Sequence, residues 1–148
     1  MTQSREIIPV SRIMTHAPLT VREDDDMYVV ERLMRTAKVR HLPVTQDGRV
    51  IGLITHRDLL AVSVSLLADI SREEHDEMMR KVPVSEIMNR DVLVIEEDTS
   101  IEAACKQLLE HKIGCLPVVK DNKLVGIVTE SDMVRLTYQY FQYRNRKD

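Results

Sequence analysis

An internal duplication constrains the fold of this chain more than any other feature of its sequence. When the sequence is shifted by 74 positions, residues 10–60 align with residues 84–134 without a gap, and 15 of the 51 aligned pairs are identical. Unrelated sequences of ordinary composition would share roughly three pairs over this length. The copies share an opening motif, Val-Ser-x-Ile-Met, at 10–14 and 84–88, a Leu-Pro-Val motif at 42–44 and 116–118, and a Thr-Asp motif, Gly-x-x-Thr-x-x-Asp, at 52–58 and 126–132. The chain is therefore two copies of one structural unit.

Each copy begins with the pattern of a strand followed by a helix. A short β-prone run, at 19–22 and at 92–96, precedes a segment with apolar residues at helical spacing, which spans 27–37 in the first copy. In the second copy, residues 99–102 read Thr-Ser-Ile-Glu, a capping box that predicts where the helix begins.

Each copy continues with two aliphatic runs joined by a tight turn. Asp47-Gly48 separates the runs in the first copy and Asp121-Asn122 in the second, and such pairs predict a β-hairpin. A final helix is expected to begin at the threonine of each Thr-Asp motif. The order is thus β-α-β-β-α, twice. We predict a mixed α/β (α+β) fold in which the two repeats pack about a pseudo-twofold axis, because one copy alone buries too little surface.

The sequence outside the shared motifs divides the chain further. We place the two repeats at 8–62 and 82–138, the connector between them at 63–81, and a tail at 139–148. The connector contains no Gly or Pro and is predicted to be helical, with Ser71 and Glu74 as an internal cap. The C-terminal segment 135–148, which includes the tail, carries three of the four tyrosines and the only phenylalanine, which indicates either a helix at a dimer interface or, less favoured, a contact with RNA.

Composition excludes several classes of protein. Apolar residues make up 43% of the chain and charged residues 30%, which are globular values, and the net charge of −3 does not indicate a polyanionic partner. Aromatic content of 3% implies an aliphatic, Met-rich core. The two cysteines, Cys105 and Cys115, lie in apolar segments and are interpreted as small core residues in a reducing compartment. With no signal peptide and no run long enough to span a membrane, we expect a cytoplasmic protein.

Catalytic and metal-binding motifs are not found in the sequence. The five histidines form no HExxH pattern, and the chain has no Gly-rich phosphate loop. Cys105, His111 and Cys115 lack the close pairs that are typical of metal sites. We therefore expect neither an enzyme nor a metalloprotein.

The order and duplication of the three motifs resemble a tandem pair of CBS domains, the regulatory module named after cystathionine β-synthase. The resemblance covers nearly the whole chain, about 8–62 and 82–138. It implies two clefts between the repeats that bind adenosine-containing ligands such as AMP, ADP or ATP, with S-adenosylmethionine and NAD as alternatives. It also implies a disc-shaped homodimer and an effector protein that responds to the ligand. No cofactor is expected beyond the nucleotide itself, with or without Mg²⁺.

The Thr-Asp motif contains residue types that suit a nucleotide site. Thr55 and Thr129 are predicted to open a helix, where unpaired N–H groups and the helix dipole favour a phosphate. Asp58 and Asp132 lie one turn later and can accept both ribose hydroxyls, since a carboxylate offers only acceptors. The same pattern is also a helix cap that requires no ligand.

The resemblance implies which residues would form each cleft, combining the Thr-Asp motif of one repeat with the early segment of the other. The first cleft would contain Arg40, Leu53, Thr55, Arg57, Asp58, Met88 and Leu93. The second would contain Ile127, Thr129, Ser131, Asp132, Met14, Leu19 and Val39. The apolar slot for adenine is expected from Ile13, Met14, Leu19 and Val39, or from Ile87, Met88, Leu93 and Ile113.

The two copies differ in charge around the Thr-Asp motif. The residues Arg40, His56 and Arg57 of the first copy correspond to Gly114, Glu130 and Ser131 of the second. The first cleft is therefore predicted to bind phosphate better. A rival hypothesis is a ligand-free interaction protein whose clefts are merely capped helices.

Apolar residues on the final helices predict a homodimer. The helices after the two Thr-Asp motifs carry more apolar residues than their own cores need, namely Leu59, Leu60, Val62, Val64, Leu66 and Leu67, and Met133, Val134, Leu136 and Tyr138.

Overall fold

The structure, a computed structural model, describes residues 6–65 and 69–146. After a 3₁₀ turn at Val10–Arg12, the elements in chain order are β1 (Thr15–His16), α1 (Met27–Ala37), β2 (His41–Gln46), β3 (Arg49–Thr55), α2 (His56–Ser65), α3 (Arg72–Met79), α4 (Val84–Ile87), β4 (Ile95–Glu96), α5 (Ile101–His111), β5 (Cys115–Lys120), β6 (Lys123–Thr129) and α6 (Glu130–Asn145). The mixed α+β class predicted from the sequence is confirmed.

The described residues form two compact units, and each unit contains parts of both repeats. Residues 18–92 form one unit, which we call the Thr55 unit, and the described parts of 1–17 and 93–148 form the other, the Thr129 unit. The opening motif of each repeat therefore lies in the unit that holds the Thr-Asp motif of the other repeat. The repeat boundaries placed from the sequence, and the packing of the repeats about a pseudo-twofold axis, stay predictions.

The Thr129 unit contains a four-stranded sheet with the order β1-β6-β5-β4. β5 and β6 form the predicted antiparallel hairpin, and β1 pairs antiparallel with β6, with Thr15 opposite Ile127. β4 pairs parallel with β5, with Ile95 opposite Val118. The opening segment of the first repeat thus supplies an edge strand to the sheet of the second repeat.

The Thr55 unit repeats these pairings, with isolated bridges in place of the two-residue ladders of β1 and β4. β2 and β3 form the hairpin, Val21 bridges Val44 in parallel, and Leu53 bridges Asn89 antiparallel. Each of these bridges is shifted by 74 positions from a pair in the Thr129 sheet, so the duplication extends to the register of the strands. The β-prone run at 19–22 forms a single bridge and no longer strand.

The hairpin turns confirm the sequence prediction. The central residues Asp47 and Gly48 have φ values of 50° and 77°, and Asp121 and Asn122 have 49° and 61°. Positive φ at both central residues defines a type I′ turn, whose twist matches that of the flanking strands. Gly and Asn reach this region at low cost, which explains the choice of residues.

Two predictions about helix boundaries are wrong. The cap of α5 lies one residue later than predicted, because Ser100 rather than Thr99 is the N-cap. The side chain of Ser100 accepts a hydrogen bond from the N–H of Ala103. Alanine has no carboxylate to complete a reciprocal capping box. The connector is not helical throughout, since Asp69 and Ile70 are not helical and α3 begins only at Arg72. The predicted cap is confirmed, with Ser71 and Glu74 forming a reciprocal capping box.

Aliphatic and methionine side chains form the core of each unit, as the composition implies. The buried core of the Thr55 unit includes Met27, Met34 and Met79 among Val, Leu and Ile residues. Cys115 is buried as predicted, whereas Cys105 is only partly buried. Burial raises the pKa of the Cys115 thiol to about 12 and also raises the pKa of the Cys105 thiol. Both thiols are therefore protonated and poor nucleophiles at neutral pH.

The helices of the described residues include none with both the length and the apolar composition that crossing a membrane requires.

Candidate functional site

The threonine and aspartate of the first repeat meet where β3 passes into α2. Oδ2 of Asp58 accepts hydrogen bonds from the backbone N–H and the hydroxyl of Thr55, at 2.7 and 2.8 Å. The N–H of Asp58 in turn donates to Oγ1 of Thr55 at 3.3 Å. This is a reciprocal helix cap, so the alternative that the motif serves as a cap is seen directly in the structure. It occupies one of the two carboxylate oxygens.

The second repeat has the same cap with one additional contact. Oδ2 of Asp132 accepts from the N–H and the hydroxyl of Thr129, at 2.8 and 3.2 Å. Oδ1 of Asp132 accepts from Nη1 of Arg135 at 3.2 Å, one turn further along α6. The first copy has Ala61 at the position of Arg135. Within residues 6–65 and 69–146, Oδ1 of Asp58 therefore has no hydrogen-bond partner, whereas both oxygens of Asp132 are engaged.

The glycine of each Thr-Asp motif allows a methionine of the opposite opening motif to lie against the strand. A Cβ atom at Gly52 would lie 2.5 Å from Sδ of Met88, and one at Gly126 would overlap Sδ of Met14. Real Cβ atoms do not approach so closely, so only glycine fits with the methionine in place. These glycines were not among the residues predicted for a site. The signal was a Gly and a Met that recur together in both copies.

Two backbone hydrogen bonds hold the opening motif beside β3. The N–H of Leu53 donates to the carbonyl of Asn89 at 2.9 Å, and the N–H of Asn89 donates to the carbonyl of Leu53 at 3.0 Å. Met88 precedes Asn89 and is 7% exposed. A half-buried Leu53, a nearly buried Met88 and the capped Asp58 are therefore brought to one end of β3.

Most residues predicted for the first cleft lie in one unit. The Thr55 unit contains Arg40, Leu53, Thr55, Arg57, Asp58 and Met88, whereas Leu93 belongs to the Thr129 unit. The N–H of His56 donates to the carbonyl of Arg40 at 2.8 Å, which places Arg40 beside the start of α2. The side chains of Arg40, His56 and Arg57 are exposed.

The residues predicted for the second cleft divide in the same way. The Thr129 unit contains Met14, Ile113, Ile127, Thr129, Ser131 and Asp132, whereas Leu19 and Val39 belong to the Thr55 unit. The N–H of Glu130 donates to the carbonyl of Gly114 at 3.0 Å, as in the first copy. Ile113 packs against the core of its unit. That Leu93, Ile113, Leu19 and Val39 line a ligand site stays a prediction.

Charge is the main difference between the two junctions. The β3–α2 junction presents Arg40 and Arg57 to solvent, whereas the β6–α6 junction presents Glu130 beside Ser131. Guanidinium groups form strong charge-assisted hydrogen bonds with anions, so the two junctions differ in the groups that they would offer to an anion. At the second junction an anion would meet a carboxylate.

An open cavity of about 420 Å³ lies elsewhere in the Thr55 unit. It is lined by Arg22, Glu23, Asp24, Thr45, Gln46 and Asp47. Its wall contains an ion pair between Arg22 and Asp24 at 2.9 Å, in which both side chains are largely exposed. None of the residues predicted for the nucleotide sites lines it.

Comparison with known proteins shows that both repeats match the same protein family. The family model described as "CBS domain" matches residues 10–65 and 84–138. "Uncharacterized protein MJ1426" of Methanocaldococcus jannaschii is 31% identical, over 87% of this chain and 90% of that protein. The solved CBS domain pair of protein MJ0100, in complex with 5′-methylthioadenosine and S-adenosyl-L-methionine, is 25% identical with a TM-score of 0.75, over 90% of this chain and 98% of that one. The structure of CBSX2 in complex with AMP is 30% identical with a TM-score of 0.72, over 89% and 97%.

Proposed function

This chain belongs to the CBS domain family as a tandem pair, and we propose that it is a regulatory module that binds an adenine nucleotide and transmits the binding to a partner protein. The ligands of the two solved relatives, AMP in one and S-adenosyl-L-methionine with 5′-methylthioadenosine in the other, share an adenosine group. An adenosine-containing ligand is therefore the first class to test.

The ribose would be held by Asp58. The observation on which the proposal depends is that both hydrogen bonds from Thr55 go to one carboxylate oxygen of Asp58. The cap uses only Oδ2, so Oδ1 retains its capacity to accept hydrogen bonds from the 2′- and 3′-hydroxyls. The hydroxyl of Thr55 fixes the rotamer of the carboxylate, so little side-chain freedom is lost on binding. The cap and the ligand site are in this way compatible rather than exclusive.

Adenine and phosphate would bind on either side of this carboxylate. Leu53 and Met88 offer apolar surface for the base at the end of β3. Arg40 and Arg57, together with the positive end of the α2 dipole, provide positive potential for the phosphate. The site combines residues of both repeats, because Met88 comes from the second and Asp58 from the first.

The regulatory step would be a shift in the population of conformations. A ligand that contacts residues from both repeats favours the arrangement in which these contacts form, and a partner protein detects the change. We propose that this occurs in the cytoplasm, without catalysis by the chain itself and without contact with membrane or nucleic acid. ATP would bind with or without Mg²⁺.

Exposed apolar residues support a homodimer as the assembly of this module. Leu60 and Val64 on α2, and Val134 and Tyr138 on α6, are all exposed. Leu59 was predicted to contribute to the dimer interface but is buried in the core of the Thr55 unit. Leu66 and Leu67, which were predicted to do the same, lie outside the described residues. Sedimentation at micromolar concentration would give a dimer, and a clean monomer would contradict the proposal.

Calorimetric titration with AMP, ATP and S-adenosyl-L-methionine tests the ligand class. We expect saturable binding of at least one of them, weakened in Asp58→Ala. The second candidate function is a ligand-free interaction protein, in which the two aspartates act as helix caps alone. Absence of binding to all three ligands, with Asp58→Ala lowering only the melting temperature, would establish that candidate instead.

A further inference from the structure

Three potential metal ligands converge between α1 and α3 of the Thr55 unit. Glu31 lies on α1, and His75 and Asp76 lie on α3. One ligand atom from each of the three lies within 4.8 Å of the others, and all three residues are half-buried. Nδ1 of His75 and Oδ1 of Asp76 are 3.5 Å apart.

The carboxylate oxygen Oδ1 of Asp76 is buried without a hydrogen-bond partner within residues 6–65 and 69–146. Among the side chains of the described residues, it is the buried polar atom without a hydrogen-bond partner. Leaving a buried carboxylate oxygen unpaired costs free energy comparable to a lost hydrogen bond or more, so such atoms require an explanation.

The arginines near this cluster are engaged with Tyr28. The guanidinium carbon of Arg80 lies 3.9 Å from the centroid of the Tyr28 ring, and Nη1 of Arg32 donates to the Tyr28 hydroxyl at 3.2 Å. This hydrogen bond lowers the pKa of Tyr28 and raises the pKa of Arg32. The charge of Asp76 also contributes to raising the pKa of Arg32, but neither guanidinium donates a hydrogen bond to Oδ1 of Asp76.

We propose that Glu31, His75 and Asp76 form a binding site for a divalent transition-metal cation of the zinc type. Imidazole nitrogen and carboxylate oxygen are both ligands that Zn²⁺ accepts, and water would take the fourth position. The two carboxylates neutralise the charge of the ion. Ligand atoms about 2.1 Å from a tetrahedral ion are about 3.4 Å apart, close to the separation between His75 and Asp76.

The site would join the connector to the first repeat. The residue of the second repeat that corresponds to Glu31 is Cys105, so the carboxylate ligand is not repeated there. Bound metal would hold α3 against α1 and would thereby stabilise the Thr55 unit alone. This proposal does not depend on nucleotide binding.

The test uses the full-length chain, free of any affinity tag and stripped of metal with a chelator. Titration with ZnCl₂ in a calorimeter is expected to show one ion bound per chain, and Co²⁺ is expected to give the visible absorption of a four-coordinate site. His75→Ala and Asp76→Asn should each weaken Zn²⁺ binding by at least about tenfold. Cys105→Ser, at the matching position of the second repeat, and His111→Gln, an exposed histidine, serve as controls that retain it.

Thermal unfolding with and without Zn²⁺ separates the metal site from a simple ion pair between His75 and Asp76. Zn²⁺ should raise the melting temperature of the wild-type chain and of both controls but not of His75→Ala. If a variant at 75 or 76 fails to fold, Glu31→Gln replaces it in both assays. No Zn²⁺ binding by the wild-type chain, or binding retained in all three site variants, would overturn the proposal.

Discussion

The two Thr-Asp junctions share one backbone and one helix cap but differ in the charges that surround them. Both aspartates accept two hydrogen bonds from their threonine through Oδ2. Asp132 additionally binds Arg135 and is 7% exposed, whereas position 61 beside Asp58 is alanine. Duplication has therefore kept the residues that form the cap, while the charged residues around it have diverged.

This difference predicts unequal ligand sites. At the Thr55 junction the carboxylate has an uncommitted oxygen, and Arg40 and Arg57 are near. At the Thr129 junction the carboxylate already has a cation, and Glu130 would repel a phosphate. We expect AMP or ATP to fill the first site before the second, and the predictions below test that order.

The largest effect is expected from filling the space beside Met88. In Gly52→Ala the new Cβ would lie 2.5 Å from Sδ and 3.2 Å from Cβ of Met88. A change of side-chain rotamer alone does not move the Cβ of Met88, so its backbone has to shift as well. We expect a loss of about 1–3 kcal/mol in the free energy of unfolding, measured by chemical denaturation. Gly126→Ala should have a similar cost, because its Cβ would come at least as close to Sδ and Cγ of Met14.

The control for this prediction is a double-mutant cycle. Once Met88→Ala has removed the obstructing side chain, adding Gly52→Ala should cost little. An equal cost of Gly52→Ala with and without Met88 would show that the glycine is needed for another reason.

Asp58→Ala is expected to weaken ATP binding by about 5–150-fold, because a charged acceptor of ribose hydroxyls is lost. Loss of the cap should also lower stability by about 1 kcal/mol. Asp132→Ala should cause a similar loss of stability but leave the tighter binding event unchanged. Calorimetry and thermal unfolding of both variants separate the two roles. If both variants are destabilised with unchanged affinity, the aspartates are caps only.

Arg57→Ser is expected to weaken ATP binding by about fivefold, as for an exposed charge pair, and to leave adenosine binding nearly unchanged. The measurement is best made in the Asp132→Ala background, where only the Thr55 site remains. Added salt should weaken ATP binding less in the variant. Arg49→Ser changes the net charge equally but lies at the far end of β3, so it serves as the control. Equal effects of both substitutions would point to net charge rather than a local contact.

Local signals account for what the sequence could predict of the fold. The Asp-Gly and Asp-Asn turns, the apolar period of α1 and the cap at Ser71 each depend on neighbouring residues, and each appears in the structure. The capping box at 99–102 was misplaced because Thr99 and Ser100 can both cap, and only the three-dimensional path of the chain selects one. The break in the connector had a local signal, since an N-cap at Ser71 requires an extended residue there.

The candidate sites were predictable only in part. The Thr-Asp motif is visible because its residues are close in sequence and occur twice. The ion pair between Asp132 and Arg135 was missed although its i,i+3 spacing was available. The cluster of Glu31 with His75 and Asp76 has no such signal, because α1 and α3 are far apart in sequence and meet only through packing.

The smallest effect is expected from replacing Arg135, and this substitution tests whether the ion pair with Asp132 makes the two ligand sites unequal. Arg135 is largely exposed and Asp132 keeps its two bonds from Thr129, so Arg135→Ala should cost little stability. The freed Oδ1 of Asp132 would then resemble that of Asp58, and affinity for adenosine at the Thr129 site should rise by about two- to threefold. The Asp58→Ala background isolates this site. The reciprocal Ala61→Arg, at an exposed position of α2, should lower affinity at the Thr55 site by a similar factor. Unchanged affinities in both variants would mean that the ion pair does not control access to the carboxylate, and that the difference between the junctions depends on Arg40, Arg57 and Glu130.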